Sequence, residues 1–152
     1  MSAMSALEQY PRITPFLWFE KDAGQAVDFY VSIFKNSRRL DALTVDGKAM
    51  TIAFELDGQK FTALNGGPAF KFNEAISLLV RCDTQGEIDY YWSKLTEGGS
   101  EVQCGWLKDK FGVSWQVVPA KMAEYVRHPK AMQAMMGMKK LDIAALVNAA
   151  RE

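Results

Sequence analysis

The sequence of 152 residues is poor in the side chains that build metal and disulfide sites: it has one histidine, His128, and two cysteines, Cys82 and Cys104. Two cysteines are too few for a disulfide framework, and we expect both to remain thiols. His128 stands beside Pro129, and we interpret it as a surface residue near the start of a helix. The composition therefore does not favour a disulfide-stabilised extracellular protein.

The sequence also lacks an excess of charge of either sign, because 18 Lys and Arg residues balance 18 Asp and Glu residues. No run of like charge offers a complementary surface to a phosphate backbone or an anionic bilayer, so we expect neither nucleic acid nor membranes as partners. Two further features are missing, namely about 18 consecutive apolar residues and a secretion signal with a basic start and an apolar centre. These absences predict a soluble, unexported protein of the cytoplasm.

Apolar residues make up 49% of the chain, which is enough for a substantial core. A chain of this length can bury roughly 68–70% of the surface that it exposes when unfolded. We therefore expect a single domain over residues 1–152, with a first module at 13–70, a second module at 71–119 and C-terminal helices at 120–152.

The first module begins with an apolar and aromatic run at residues 13–19, which predicts a buried strand with an edge or irregular beginning at Pro15. Asp22 stands where a helix N-cap would, and from Ala23 apolar residues recur at the spacing of an amphipathic helix. The helix should end at Asn36. Its apolar stripe consists of Ala26, Val27, Tyr30, Ile33 and Phe34.

Three further strands are predicted at residues 42–45, 49–56 and 60–64, separated by Asp46-Gly47 and Asp57-Gly58. Asp-Gly supplies the positive φ angles of tight hairpin turns. The three strands should therefore form an antiparallel meander, and the first module is predicted to be βαβββ.

The second module repeats this plan. Residues 75–80 predict a strand, Asp83 or Thr84 offers a helix cap, and later strands are predicted at 102–107 and 113–118. A single shift along the chain aligns Asp-Phe-Tyr at 28–30 with Asp-Tyr-Tyr at 89–91, which suggests an internal duplication. The helical stripe consists of Ile88, Tyr91, Trp92 and Leu95, and Gly98-Gly99 should end that helix.

The sequence after Pro119 predicts helices at residues 120–127, 129–138 and 142–150, with Asp142 placed to cap the last of them. Methionines in this C-terminal helical appendage offer an adaptable ligand surface, although thioether side chains also fill core gaps or dimer contacts, which is the interpretation that we favour. These methionines are Met122, Met132, Met135, Met136 and Met138.

Three tracts carry a family resemblance: Phe-Leu-Trp-Phe-Glu-Lys-Asp at 16–22, continued by Asp-Phe-Tyr at 28–30; Cys-Gly-Trp-Leu-Lys-Asp-Lys-Phe-Gly-Val-Ser-Trp-Gln-Val-Val-Pro at 104–119; and Met-Lys-Lys-Leu-Asp-Ile-Ala-Ala-Leu at 138–146. They resemble the PhnB-like branch of the vicinal oxygen chelate superfamily, which includes glyoxalase I, extradiol dioxygenases and fosfomycin-resistance proteins. The resemblance spans about residues 13–150. It implies an α+β, glyoxalase-like fold in which paired βαβββ modules form curled mixed sheets around a cleft, usually in a homodimer.

Metal-dependent members of this superfamily hold a divalent cation with His and Glu side chains on the cleft faces of their strands. By the resemblance, the corresponding positions here fall on Pro15 or Phe16, on residues 61–65, on Ser77 and on Gln116. A hydrocarbon side chain offers no lone pair to a Lewis-acidic ion, and a neutral amide is a poor ligand for zinc or nickel. We therefore expect neither a bound metal nor a cofactor.

The residues that we expect to contact a ligand lie on the concave strand faces that the resemblance implies. They combine flat apolar surface with a few neutral hydrogen-bonding groups, which suits a small, partly apolar organic molecule. Trp18 is included because it lies two residues after Phe16 and therefore shares its strand face. If Pro15 instead pointed toward the cleft, Trp18 would point away from it. The candidate ligand-binding residues are Phe16, Trp18, Phe61, Ala63, Asn65, Ser77 and Gln116.

Two other features are interpreted as structural. Cys104 is a candidate nucleophile with Lys108 nearby, but no histidine is close in sequence, so we favour a structural role for it and for Cys82. Asp109 begins an Asp-Lys-Phe-Gly turn before the last strand, in which aspartate can accept bonds from its own turn and Gly112 can adopt a positive φ.

The leading hypothesis is a metal-free PhnB-like protein that binds a small, partly apolar molecule. A rival is an enzyme of the same cleft, either a lyase, isomerase or dioxygenase with an atypical metal site, or a transferase. Relatives often bear a demethylubiquinone methyltransferase label, but Gly66-Gly67 follows a hairpin strand and precedes Pro68, the wrong context for a cofactor-binding glycine loop. A third hypothesis is an interaction protein that binds a partner through its C-terminal helices. The sequence does not decide whether the protein is an enzyme.

Overall fold

The computed structural model describes residues 7–152, and the chain divides into two compact units, Met1–Lys71 and Phe72–Glu152. Each unit contains one four-stranded mixed sheet together with helices, so the predicted α+β class is confirmed. The single-domain organisation stays a prediction. Within residues 7–152, no helix has the length and apolar character that crossing a bilayer requires.

The first unit has the predicted βαβββ order. Its elements are β1 (Phe16–Phe19), α1 (Ala23–Ile33), β2 (Arg38–Val45), β3 (Lys48–Leu56) and β4 (Gln59–Asn65). The strands lie in the order β1-β4-β3-β2; β1 runs parallel to β4, and the other pairs are antiparallel. Strand β2 begins earlier than predicted because Arg38 and Arg39 pair with Glu55 and Phe54 before an irregularity in the register.

Both predicted hairpin turns are confirmed. Asp46 and Gly47 have φ angles of 52° and 77°, and Asp57 and Gly58 have φ angles of 47° and 87°. Positive φ at both central residues matches the right-handed twist of the flanking strands. The meander β2–β3–β4 is therefore determined by local turn chemistry.

One face of the first sheet packs against α1. The ring of Phe54 on β3 stacks with Tyr30 of α1 at 6.3 Å between centroids, and with Phe61 on β4 at 5.2 Å. Ala26 and Val27 of the helix stripe are fully buried beside them. Burial of these side chains supplies the apolar driving force that attaches the helix to the sheet. In contrast, Phe16 at the start of β1 is 59% exposed.

The second unit repeats the same topology. Its elements are β5 (Leu78–Cys82), α2 (Gln85–Thr96), β6 (Ser100–Glu101), β7 (Trp106–Lys108) and β8 (Ser114–Pro119). The strand order is β5-β8-β7-β6, with β5 parallel to β8. The strand predicted at 102–107 is interrupted, because Cys104 and Gly105 have φ angles of 60° and 84° and turn the chain between β6 and β7.

Helix α2 begins with a capping box. Thr84 Oγ1 accepts a hydrogen bond from the Glu87 backbone N–H, and Glu87 Oε1 accepts one from the Thr84 N–H. Of the two predicted caps, Thr84 is therefore the residue that caps the helix. Trp92 is 6% exposed, which confirms its assignment to the core, and its indole N–H donates to Glu101 at 2.7 Å.

Three helices follow β8 in the second unit: α3 (Met122–Tyr125), α4 (Pro129–Met136) and α5 (Ile143–Ala150). The predicted cap is confirmed, because Asp142 Oδ1 accepts from the Ala145 N–H at 3.1 Å. Gln85 of α2 joins this segment to the module, since its side chain donates to the Leu141 carbonyl and accepts from the Ile143 N–H.

Asp109 organises the turn between β7 and β8. Its carboxylate is almost fully buried and accepts hydrogen bonds from the backbone N–H groups of Phe111 and Val113, at 2.8 and 3.1 Å, and from Trp115 Nε1 at 2.8 Å. Gly112 has a φ of 91° in the same turn. The structural role predicted for the Asp-Lys-Phe-Gly turn is confirmed.

Replacement of Asp109 by alanine should destabilise the second unit by about 3 kcal/mol, because three donors, two of them in buried hydrogen bonds, would lose a charged acceptor. Urea unfolding followed by tryptophan fluorescence measures the change. Asp142→Ala is the matched control, since it removes an exposed helix cap and should cost about 1 kcal/mol. Equal losses of stability in the two variants would contradict the role that we assign to Asp109.

Candidate functional site

Ser77 and Gln116 lie together on one face of the second sheet. The Gln116 side-chain amide donates to Ser77 Oγ at 3.0 Å. Gln116 pairs with Leu79 on β5 and with Trp106 on β7, so these side chains share a face. The opposite face carries buried side chains such as Val117. We call the first of these faces, with Ser77, Leu79, Trp106 and Gln116, the open face of the second sheet.

Ser77 and Gln116 are neutral polar groups. Ser77 Oγ accepts from Gln116 and retains its own hydroxyl proton for donation, while Gln116 keeps a carbonyl oxygen as an acceptor. The charged residues of the same face, Lys108 on β7 and Arg81 on β5, are paired with Glu74 and Asp83. Leu79 is 59% exposed, so the Ser77–Gln116 pair can orient an uncharged polar group beside an apolar surface.

Ser114 is a further polar residue of this face that the sequence analysis missed. It lies two residues before Gln116 on β8, is 2% exposed, and its hydroxyl has no hydrogen-bond partner among the described residues. The strand alternation alone would have indicated that Ser114 and Gln116 share a face. A buried hydroxyl without a partner is unfavourable, and at 2% exposure Ser114 is out of reach of a ligand on this face.

The five candidates of the first unit fall into two groups instead of sharing one concave face. The register pairs Phe61 with Phe54 and Ala63 with Leu17, which places Phe61, Ala63 and Asn65 on the face that α1 covers. Phe61 is 5% exposed and Ala63 is fully buried. Strand β1 runs in the register that pairs Phe16 with Thr62, so Phe16 and Trp18 take the opposite face. The sequence analysis correctly placed Phe61, Ala63 and Asn65 on one face of β4, but it did not predict that α1 covers this face.

Asn65 fixes the start of α1. Its side-chain oxygen accepts from the Ala23 backbone N–H at 2.8 Å, and its amide donates to the Ala49 carbonyl at 3.1 Å. Asp22 occupies the N-cap position but makes no side-chain capping bond. The prediction that Asp22 caps the helix is therefore corrected: an amide from β4 provides the capping acceptor.

Trp18 packs closely against the segment after β4. Its indole N–H donates to the Gly67 carbonyl at 3.0 Å, and its ring meets Phe70 edge-on at 4.8 Å between centroids. A Cβ atom at Gly66 would overlap the Trp18 ring. These glycines serve the packing of Trp18, so they do not fit the glycine loop that would hold a nucleotide-like methyl donor.

A cavity of about 670 Å³ lies in the first unit, at the N-terminal end of α1 and beside the β2–β3 hairpin. Of the seven candidate residues, Asn65 alone lines it. Both polar groups of Asn65 are used within the fold, so this residue is a wall of the cavity and not a free binding group.

The residues present do not fit a divalent cation held in the manner of the metal-dependent relatives. Ser77 Oγ and the Gln116 amide bond to each other, and neither carries the negative charge or imidazole nitrogen that such an ion prefers. No group of three or more His, Cys, Asp or Glu side chains suited to a metal ion occurs in the part of the chain that the structure describes.

The two cysteines differ in exposure. Cys82 at the end of β5 is fully buried, and this burial raises the pKa of its thiol to about 12. Cys104 is partly exposed; its backbone N–H donates to the Met138 carbonyl, and its Sγ lies 3.9 Å from Met136 Sδ. His128 is exposed at the start of α4, as predicted, so it does not activate a buried thiol.

The folded protein should alkylate at Cys104 only. At mildly alkaline pH, iodoacetamide should add one group rapidly, at Cys104. Cys82 should stay unmodified, because the raised pKa keeps that buried thiol protonated. Intact-mass spectrometry counts the added groups, and unfolding in urea should release the second. Cys104→Ser is the control and should leave no rapidly modified thiol. Two rapid additions to the folded protein would contradict this assignment.

A family model described as 3-demethylubiquinone-9 3-methyltransferase matches residues 11–118. The chain is 35% identical to a solved structure described as a putative 3-demethylubiquinone-9 3-methyltransferase, PhnB protein, from Bacillus cereus. That match covers 72% of this chain and 100% of the other, with a TM-score of 0.68. No curated protein matches the chain.

More distant structures share the fold alone. Protein PA1353 from Pseudomonas aeruginosa is 21% identical over 72% of this chain and 98% of its own, with a TM-score of 0.60. The fosfomycin resistance protein FosX from Listeria monocytogenes, complexed with Mn(II) and sulfate, is 14% identical over 76% of this chain and 97% of its own, with a TM-score of 0.59. The chain therefore belongs to the PhnB-like, 3-demethylubiquinone-9 3-methyltransferase family and has the glyoxalase-like fold of the vicinal oxygen chelate superfamily.

Proposed function

We propose that the protein binds a small, partly apolar, uncharged organic molecule on the open face of its second sheet, without a metal ion. The observation that carries the proposal is the hydrogen-bonded pair Gln116–Ser77 beside the exposed Leu79. These positions correspond, by family resemblance, to metal ligands in metal-dependent relatives. A neutral amide and a hydroxyl in their place favour an uncharged ligand over a coordinated anion.

Exposed apolar side chains support the apolar half of this proposal. Leu79 and Ile76 of the second unit are 59% and 69% exposed. Contact with the apolar part of a ligand would remove these side chains from water.

The polar half of the ligand should carry an acceptor such as a carbonyl oxygen. The Ser77 hydroxyl has a proton to donate to the carbonyl oxygen of a ketone, amide or ester, and the Gln116 carbonyl would accept from the N–H of an amide. We also propose that the protein forms a homodimer and is located in the cytoplasm.

The methyltransferase activity in the family description gains no support from the residues present. Such an activity needs a site for a methyl donor. Gly66 instead packs against the Trp18 ring, and the Gly67 carbonyl accepts a hydrogen bond from the Trp18 indole N–H. Two rivals remain, an enzyme with an unconventionally held metal and an interaction protein that binds a partner through its C-terminal helices. The enzyme predicts stoichiometric metal in the purified protein, whereas the binding proposal predicts none.

Two measurements separate these functions. Protein purified without chelators should contain no stoichiometric metal by elemental analysis, and its thermal unfolding midpoint should not rise with nickel, zinc, manganese or iron salts. A panel of uncharged aromatic ketones, amides and alcohols should raise that midpoint. A stoichiometric ion that requires Gln116 or Ser77 would refute the proposal.

Gln116→Leu should weaken binding of the best panel compound about tenfold, because it removes the amide while keeping a side chain of similar size. Isothermal titration calorimetry provides the affinities. Gln133→Leu is the matched control, since Gln133 is exposed on α4. Equal affinities in the two variants would show that the compound binds elsewhere.

A further inference from the structure

Ser114 is a covered residue of the open face of the second sheet. Leu78 on β5 pairs with Trp115 on β8, so Ser77 stands beside Ser114. On its other side, Ser114 pairs with Lys108 on β7. The Ser114 hydroxyl is buried and has no hydrogen-bond partner among the described residues. The fold therefore keeps this donor away from water at a cost in free energy.

Residues 72–76, which precede Ser77, run over Ser114, and we call them the covering segment. The segment leads into Ser77 on one side of Ser114. Its Glu74 forms an ion pair with Lys108 on the other side. Because the ion pair joins the two sides, it crosses β8 above Ser114 and closes over the hydroxyl.

Few contacts hold the covering segment in place. No backbone–backbone hydrogen bond joins residues 73–76 to another element in the part of the chain that the structure describes, and the Ala75 N–H donates to the neighbouring Asn73 side chain. Residues 73–76 are exposed, and the Ile76 side chain is left in water. A segment with few buried contacts and no backbone hydrogen bonds opens at a low cost in free energy.

The two ends of the covering segment differ in how firmly they are held. Glu74 and Lys108 are 57% and 39% exposed, and an ion pair in contact with water contributes little to stability. Ser77 is anchored more firmly, because Gln116 donates to its hydroxyl and β5 begins at the next residue. When the ion pair opens, the covering segment can swing about Ser77 while the Ser77–Gln116 pair stays formed.

We propose that the covering segment is a lid on the binding site of the second sheet, and that its opening adds the Ser114 hydroxyl to the groups that hold the ligand. Ser114 then donates to the same carbonyl oxygen as its neighbour Ser77, since a carbonyl oxygen accepts two hydrogen bonds. The new bond satisfies a donor that the closed segment leaves unpaired, which offsets part of the cost of opening. The role of Ser114 in binding rests on the proposed function, whereas the lid itself does not.

A thiol at position 114 reports whether the covering segment opens. Ser114→Cys is made in a Cys104→Ser background, so that the buried Cys82 is the only other thiol. Iodoacetamide should modify the introduced thiol slowly, and Glu74→Ala should raise the rate about fivefold, as should Lys108→Met. These two substitutions change the local charge in opposite directions, so acceleration by both reflects exposure and not ionisation of the thiol. Intact-mass spectrometry follows the reaction.

Asp83→Ala is the matched control, because it breaks the exposed Arg81–Asp83 ion pair at the other end of β5 and should leave the rate unchanged. Cys82 should stay unmodified throughout, which shows that each variant is folded. Rapid modification while the Glu74–Lys108 pair is intact would overturn the proposal. A rate that neither Glu74→Ala nor Lys108→Met changes would do so as well.

Acetophenone, an uncharged aromatic ketone, tests the binding role of Ser114 by isothermal titration calorimetry. Glu74→Ala should raise its affinity about fivefold, because the ketone no longer has to open the covering segment, and the added substitution Ser114→Ala should cancel that gain. An affinity that is insensitive to Ser114→Ala would refute the role of the hydroxyl. If acetophenone does not bind at all, the proposed function fails and the binding role of Ser114 fails with it, whereas the modification rates still decide whether the segment is a lid.

Discussion

Helix α1 packs on one face of the first sheet and α2 packs on the second sheet, and this constraint decides which strand residues belong to the core. On the first sheet, Phe54 and Phe61 lie between the strands and α1, whereas Phe16 and Trp18 on the other face are free of the helix. On the second sheet, Val117 is buried and its neighbour Gln116 faces away. Because side chains alternate along a strand, a shift of one position exchanges a core residue for an accessible one.

Several buried or half-buried polar side chains form hydrogen bonds within the fold, and these side chains are therefore not free to contact a ligand. Asp109 satisfies two backbone N–H groups and the Trp115 indole, which fixes the turn between β7 and β8 and hence the register of Gln116 with Trp106. Asn65 satisfies the start of α1 in the same way. Gln116 and Ser77, in contrast, are bonded to each other on an accessible face, so their remaining donor and acceptor stay available.

Membership of the PhnB-like family establishes the fold of this chain but not its chemistry. FosX shares that fold and was solved with Mn(II), whereas the Ser77–Gln116 pair of this chain offers a hydroxyl and an amide and neither an anionic nor an imidazole ligand. The site proposed on the second sheet follows the same reasoning, because the neutral Ser77–Gln116 pair favours an uncharged polar group.

The sequence by itself determined the local elements: the Asp-Gly hairpins, the helix stripes, the cap at Asp142, the Asp109 turn and the repeated βαβββ order. Each depends on residues close together along the chain, whose spacing is visible in one dimension. Tertiary structure alone decided which sheet face α1 covers and that Asn65, not Asp22, caps it. It also formed the cavity between the β2–β3 hairpin and α1. These outcomes depend on contacts between segments distant in sequence, and alternation along a strand defines two faces without stating which one a helix will cover.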